Sequence, residues 1–266
     1  LSNECLFHYK LSYKGSYFGH AQQFSIRWND PTINIKWPAK KPILSLRDKK
    51  SKFIRHTNIT PMKFYKEYLS MNLKDKVCLI HCPMSNKKFN TLYTVDYLGN
   101  VIEGQIIKYL NVSIEDMKKY SIKALKSNDP VWFGCDVGKM FHRTLGVMDN
   151  KLYDYESLLG INPQMNKKTR LEYGDSQMTH AMLFTGVDVH DGVATKWRVE
   201  NSWGAEQSGR KGFYTMNDNW FDEHMFEIAA PKDYLTDEMK EGLEGEPIVL
   251  PAWDPMGSLA REEVLL

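Results

Sequence analysis

Residues 178–186 read MTHAMLFTG, and residues 198–204 read RVENSWG. His180 sits in one apolar, strand-like run and Asn201 closes the next, with the turn-like HDG of residues 190–192 between the runs. Adjacent antiparallel strands joined by such a turn bring the two side chains together. An imidazole that takes a thiol's proton and holds the thiolate as an ion pair needs an acceptor on its other nitrogen, which fixes tautomer and orientation. An asparagine carbonyl supplies that acceptor without adding negative charge. Trp203, two residues beyond Asn201, is placed to cover the bond and exclude water from it. Taken singly, a histidine in an apolar strand reads as a satisfied core residue, and an asparagine before serine reads as a turn residue. The two together, with Asn-Ser-Trp-Gly closing the second strand, point to nucleophilic catalysis.

Around this pair the pattern is strand-rich. PVWFGCDV from Pro130, MTHAMLFTGVDV, ATKWRVENSW and GFYTMNDNWF read as four strands. Upstream, NITPMKFYKEYLSM opens a helix: Thr60 caps it, Pro61 takes the first helical position, and Phe64, Tyr65, Tyr68 and Leu69 share a face. KVCLIHC and NTLYTVDYL read as strands. Ser113 with Asp116 forms a capping box for the helix IEDMKKYSIKALK, which Asn128, Asp129 and Pro130 end. A short acidic helix, roughly Asp237 to Leu243 behind Thr236, leads into an extended, proline-punctuated tail.

Composition bounds the rest. The chain has 266 residues, 42% hydrophobic and 26% charged, as expected of a globular protein. No apolar run reaches the length of a membrane helix, and the first residues lack a signal-peptide core. A soluble, cytoplasmic protein is expected. The net charge of +2 hides an uneven spread: residues 1–100 carry 17 Lys and Arg against 6 Asp and Glu, whereas residues 231–266 carry 3 against 9. The densest basic run (Lys40, Lys41, Arg47, Lys49, Lys50, Lys52, Arg55) reads as a solvated face rather than a nucleic-acid site. Asn58 and Asn111 match the glycosylation acceptor pattern by chance. The cysteines Cys5, Cys78, Cys82 and Cys135 show no disulfide spacing. Strand alternation puts His81 on the face opposite Cys78 and Cys82, which argues against a metal site. No metal and no cofactor are expected.

Several strings in order (LYTVDYLGN, VWFGCDVGK, LYDYESLLG, MTHAM, TKWRVENSWG, EPIVLPAWDPMGSLA) resemble the papain-like cysteine peptidases, and more narrowly their bleomycin hydrolase family of aminopeptidases. The resemblance runs from about Leu44 to Ala260, and residues 1–43 show none. It implies an α+β fold: an incomplete papain-like peptidase with a sheet-rich lobe and a helical insertion. The expected divisions are an unmatched segment 1–43, an insertion region 44–129, a sheet-rich lobe 130–230 with His180 and Asn201, and an acidic helix and arm 231–266.

By the same resemblance His180 is the catalytic histidine, Asn201 its orienting partner and Trp203 a support. The carboxyl-terminal arm lies in the cleft near Leu259 and Ala260, where a terminal carboxylate holds the free amino group of a peptide substrate. Arg261 to Leu266 extend this chain beyond that point. The family assembles as a hexameric ring, so a homo-oligomer is implied. The family's nucleophile follows a glutamine at the head of a long helix. No such setting occurs here, and none of the four cysteines supplies one. The isolated chain is therefore expected to be inactive. The alternative is a non-catalytic assembly or interaction protein of the same family, binding nucleic acid weakly.

Overall fold

Asp191 and Gly192 both adopt positive φ, +50° and +83°. Such a two-residue turn matches the right-handed twist of the strands it joins. It folds the sequence around His180 and Asn201 into a hairpin in the computed structural model, which describes residues 60–68, 75–99, 104–204 and 209–260. The chain divides into two units, residues 1–72 and 73–266. In the first, the described part is helix α1 (Pro61–Tyr68), where the Thr60 hydroxyl accepts the Lys63 amide at 3.2 Å. Phe64 and Tyr65 are half-buried on it, as the sequence pattern requires. Leu69 and the side chain of Tyr68 lie outside the described residues.

In the second unit, β1 (Lys76–Ile80), β2 (Thr91–Val95) and β3 (Tyr109–Asn111) precede α2 (Ile114–Lys126). Next come β4 (Val131–Cys135), β5 (Phe141–His142), β6 (Val147–Met148), α3 (Tyr155–Leu159) and α4 (Lys167–Glu172). The hairpin follows as β7 (His180–His190) and β8 (Val193–Glu200), then β9 (Phe213–Asn217), α5 (Asp218–His224) and β10 (Met225–Pro231). The chain closes with α6 (Asp237–Glu244) and β11 (Ile248–Leu250). Among the described residues the strands form one hydrogen-bonded series in the order β11-β2-β3-β1-β10-β4-β7-β8-β9-β6-β5. The architecture is α+β, and the series runs across the division expected at residue 130, because β1 pairs with β10.

Neighbouring residues on a strand point to opposite faces, and here each face has its own core. Leu79, Leu92, Leu110 and Ile228 join one cluster with Phe133, Phe184, Trp197 and Phe221. Ile80, Tyr93, Tyr109 and Phe226 join a second with Leu171, Leu250 and Met256. Phe221 stacks on Phe184 and Trp197, which are tilted against each other, all with ring centroids within 5.6 Å; the three are buried, and each phenylalanine contributes about 1.5–3 kcal/mol by burial. Helix α2 lays Met117, Tyr120 and Ala124 on the first cluster, and the Ser113 hydroxyl accepts the Asp116 amide at its head as the sequence requires. Thr236 likewise caps α6.

The run GFYTMNDNWF is not one strand throughout. Its strand ends at Asn217, and Asp218 begins α5. The side chains that break the alternation are engaged sideways: Asp218 accepts the Trp197 indole at 3.0 Å, and Asn219 donates to Asp149 at 2.8 Å.

Candidate active site

His180 is the first residue of β7, and Asn201 directly follows β8. Their bond is formed: His180 Nε2 lies 2.9 Å from Asn201 Oδ1. An amide oxygen only accepts, so Nε2 carries the proton and Nδ1 is the lone-pair nitrogen of the neutral ring. Asn201 is itself held, with 4% of its surface exposed. Its Nδ2 donates to the Tyr214 hydroxyl at 3.1 Å, its Oδ1 also accepts the Ser202 amide at 2.7 Å, and its own amide donates to Gly212 at 3.0 Å. The amide therefore has one orientation that satisfies all its neighbours.

Trp203 covers the pair, its ring centroid 4.6 Å from that of the imidazole. Phe141 and Tyr214 pack beside the indole at 6.3 and 6.5 Å, and the Arg143 guanidinium stands 4.6 Å from its centroid. This surround keeps water from one side of the bond, which strengthens it. His180 itself remains half-exposed. Tyr214, Phe141 and Arg143 were not singled out from sequence. Tyr214 was within reach of the alternation in GFYTM, which puts it on the inner face of β9, but nothing in the sequence marks Phe141 or Arg143.

The described thiols are in the wrong state for attack. Cys135 pairs with His180 across β4 and β7, yet it is fully buried, and burial followed by the Asp136 carboxylate pushes its thiol well up. Burial, then Glu227, pushes Cys78 up to about 12, and burial also raises Cys82. Cys5 lies outside the described residues. His81 Nδ1 donates to the Val112 carbonyl at 2.9 Å, and burial holds its imidazolium down at about 3. Asn111, at the glycosylation-like motif, is fully buried.

The tail is not brought to the pair by any described contact. Leu259 lines a hollow of about 720 Å³ with Met84, Leu171, Tyr173, Trp253 and Pro255, a lining to which His180 and Asn201 do not belong. The Ala260 amide donates to Gly257 at 3.4 Å. Arg261 to Leu266 lie outside the described residues.

Comparison with known proteins bears on this geometry. The model of a family described as the Peptidase C1-like family matches residues 28–257, beginning inside the segment 1–43 that carried no readable resemblance. Human bleomycin hydrolase is 47% identical over 221 residues, covering 81% of this chain and 48% of that protein. Aminopeptidase C of Listeria innocua is 44% identical over 223 residues, covering 84% and 50%. The solved structure of pepW from Lactobacillus rhamnosis superposes with a TM-score of 0.74 at 43% identity, covering 77% of this chain and 46% of that one. The chain spans about half the length of the curated relatives it matches.

Proposed function

The chain belongs to the Peptidase C1-like family, and from that premise we propose that it is part of a cysteine aminopeptidase of the bleomycin hydrolase type. The observation that carries this reading is the 2.9 Å bond from His180 to Asn201 beneath Trp203. In the proposed reaction His180 Nδ1 takes the proton of a thiol, and the thiolate adds to the carbonyl of the first peptide bond. As the C–N bond breaks, the imidazolium gives that proton to the leaving amine. Water then adds to the acyl-enzyme, with His180 accepting its proton, and the thiolate departs. Asn201 holds the ring through both steps, and its neutrality leaves the charge on the imidazolium–thiolate pair.

None of the described cysteines supplies the thiol in this proposal: Cys82 and Cys135 are buried away from substrate, and burial raises all three described thiols. The reading takes the thiol from a longer protein that carries this sequence. The substrates are peptides with a free amino terminus, the assembly is a homo-oligomer, hexameric by family resemblance, and the place of action is the cytoplasm. The same protonated thiols favour a second reading, a non-catalytic assembly protein of this family.

Aminoacyl-coumarin amides separate the two. The purified 266-residue chain is expected to give no turnover. A longer protein carrying this sequence is expected to release the coumarin, to be stopped by alkylation or by His180→Ala, and to spare acetylated substrates. Thiol-inhibitable turnover by the purified chain would sink the external nucleophile. An inert longer protein would leave the non-catalytic reading standing.

A further inference from the structure

Residues 248–257 are fastened to the sheet at three separate points. Strand β11 pairs in parallel with β2, Ile248 to Tyr93 and Leu250 to Val95. Met256 is fully buried in the second core cluster, and Gly257 packs so tightly that a Cβ there would stand 2.7 Å from Val95 Cγ1. Between these lies an ion pair: Lys87 Nζ meets Asp254 Oδ2 at 2.8 Å, with 0% and 5% of the two side chains exposed. Asp254 also organises its own turn, since its Oδ1 accepts the Met256 amide at 3.0 Å and its carbonyl accepts the Gly257 amide at 2.8 Å. Trp253 and Pro255 flank it as walls of the hollow that Leu259 lines.

The two partners are held differently. Lys87 belongs to the connection between β1 and β2, which the sheet grips. Asn111 Nδ2 donates to the carbonyls of Cys82 and Lys88 at 3.1 and 3.2 Å, and the Tyr93 hydroxyl accepts the Lys88 amide at 2.8 Å. Asp254 lies beyond the β11–β2 ladder, in a stretch where Pro251, Trp253, Ser258 and Leu259 are exposed. A buried charge is tolerated only while paired, so the pair decides whether the segment stays down.

We propose that Lys87 and Asp254 are a positioning pair whose buried contact clamps residues 251–257 and so delivers residues 258–260 to a fixed place beside the hollow. That a tail fixed there bears on the substrate's amino terminus rests on the aminopeptidase reading. The clamp itself rests on the geometry.

Hydrogen exchange on the full 266-residue chain tests it. Lys87→Met leaves its partner charge on the detachable segment, so the body stays folded and the segment opens. The amides of Asp254, Met256 and Gly257 are expected to exchange at least about tenfold faster, while the Asn201 amide and β7 keep their rates. Unchanged rates at the three amides would overturn the clamp. Equal acceleration through β7 would also overturn it, by reducing the pair to general support.

Asp254→Asn instead strands the Lys87 charge inside the body and is expected to lower the melting temperature more than Lys87→Met does; the reverse order counts against the proposal. A second readout follows Trp253 fluorescence while leucyl-glycinamide and its acetylated form are titrated. The native chain is expected to prefer the free amine, and Lys87→Met to lose that preference without changed affinity for the acetylated form. A Lys87→Met chain that keeps the preference speaks against the delivery role. A native chain without preference counts against the aminopeptidase reading, and the exchange result still judges the clamp.

Discussion

The surroundings of Asn201, where β7, β8 and β9 meet, and the strand β10 with the helices beside it both bury polar groups, but in opposite ways. Around Asn201 the buried groups are neutral and each has a partner: Tyr214, Ser202 and His180 answer one amide. Along α4, α5 and β10 the buried groups are ionisable and several atoms go unanswered. Glu227 Oε2, His224 Nδ1 and Arg170 Nε have no hydrogen-bond partner among the described residues. Arg170 Nη1 lies 3.0 Å from Glu223 Oε2, an ion pair without hydrogen-bond alignment. Lys167, fully buried beside the Phe226 ring, donates to the Met225 carbonyl. Neutral, mutually satisfied groups fix an orientation at little cost. Buried charges make the fold around them sensitive to substitution and to pH.

Removing a partner from the charged region is expected to have the largest effect. Arg170→Met strips Glu223 of its ion pair and leaves two backbone carbonyls, Met165 and Glu223, without their donor. Denaturant unfolding should show a loss of about 3 kcal/mol, as expected when a partly buried pair loses one member. A loss under about 1 kcal/mol would mean that the region is as relaxed as a surface.

Titration sharpens the contrast further. Burial raises the Glu227 carboxyl from 4.5 to about 7. Its contribution to stability is therefore full below pH 4.5 and is lost as pH rises through about 7. Glu227→Gln should match the native chain near pH 4.5 and exceed it above pH 7, by an amount on the order of 3 kcal/mol. Lys167 runs the other way. Burial lowers it from 10.5 to about 7, so its contribution is full above pH 10.5 and is lost as pH falls through about 7. Lys167→Met should therefore be the more stable chain below pH 7, with the gap closing toward pH 10.5. Unfolding curves across this range that parallel the native chain for both variants would refute the assignment of buried charge to this region.

At the neutral site the effects should be smaller on stability and larger on chemistry. Asn201→Leu leaves the His180 ring, the Ser202 amide and the Tyr214 hydroxyl without their partner, at about 1–3 kcal/mol. Nitrogen-15 shifts of His180 should then report a mixture of tautomers in place of the Nε2–H form. Arg143→Gln, removing an exposed guanidinium from the Trp203 face, should cost about 0.5 kcal/mol or less. A larger loss would show that the cation holds the indole over the imidazole.

How much of this was legible in the sequence depends on how locally each feature is specified. The β7–β8 hairpin is written in nearby residues: alternation on both sides of Asp191 and Gly192 sets the register, and the register brings His180 to Asn201. The caps of α1, α2 and α6 are equally local. Strand β10, near the middle of the sheet, was not readable, because MFEIAAP follows α5 with no turn residue to separate them. The change from β9 to α5 was hidden for the same reason. The Lys87–Asp254 pair joins residues far apart in sequence, and neither residue type suggests burial. Tyr214 lay between these cases, visible as an inward-facing residue but not as the anchor of Asn201.

The most direct test of the account isolates the protein from its source with an antibody to WDPMGSLAREEVLL and measures its mass and peptidase activity before and after thiol alkylation. The account predicts a species heavier than 31.0 kDa that removes amino-terminal residues and is silenced by alkylation. A 31.0 kDa species with alkylation-sensitive activity would contradict it, as would a heavier species that cleaves nothing.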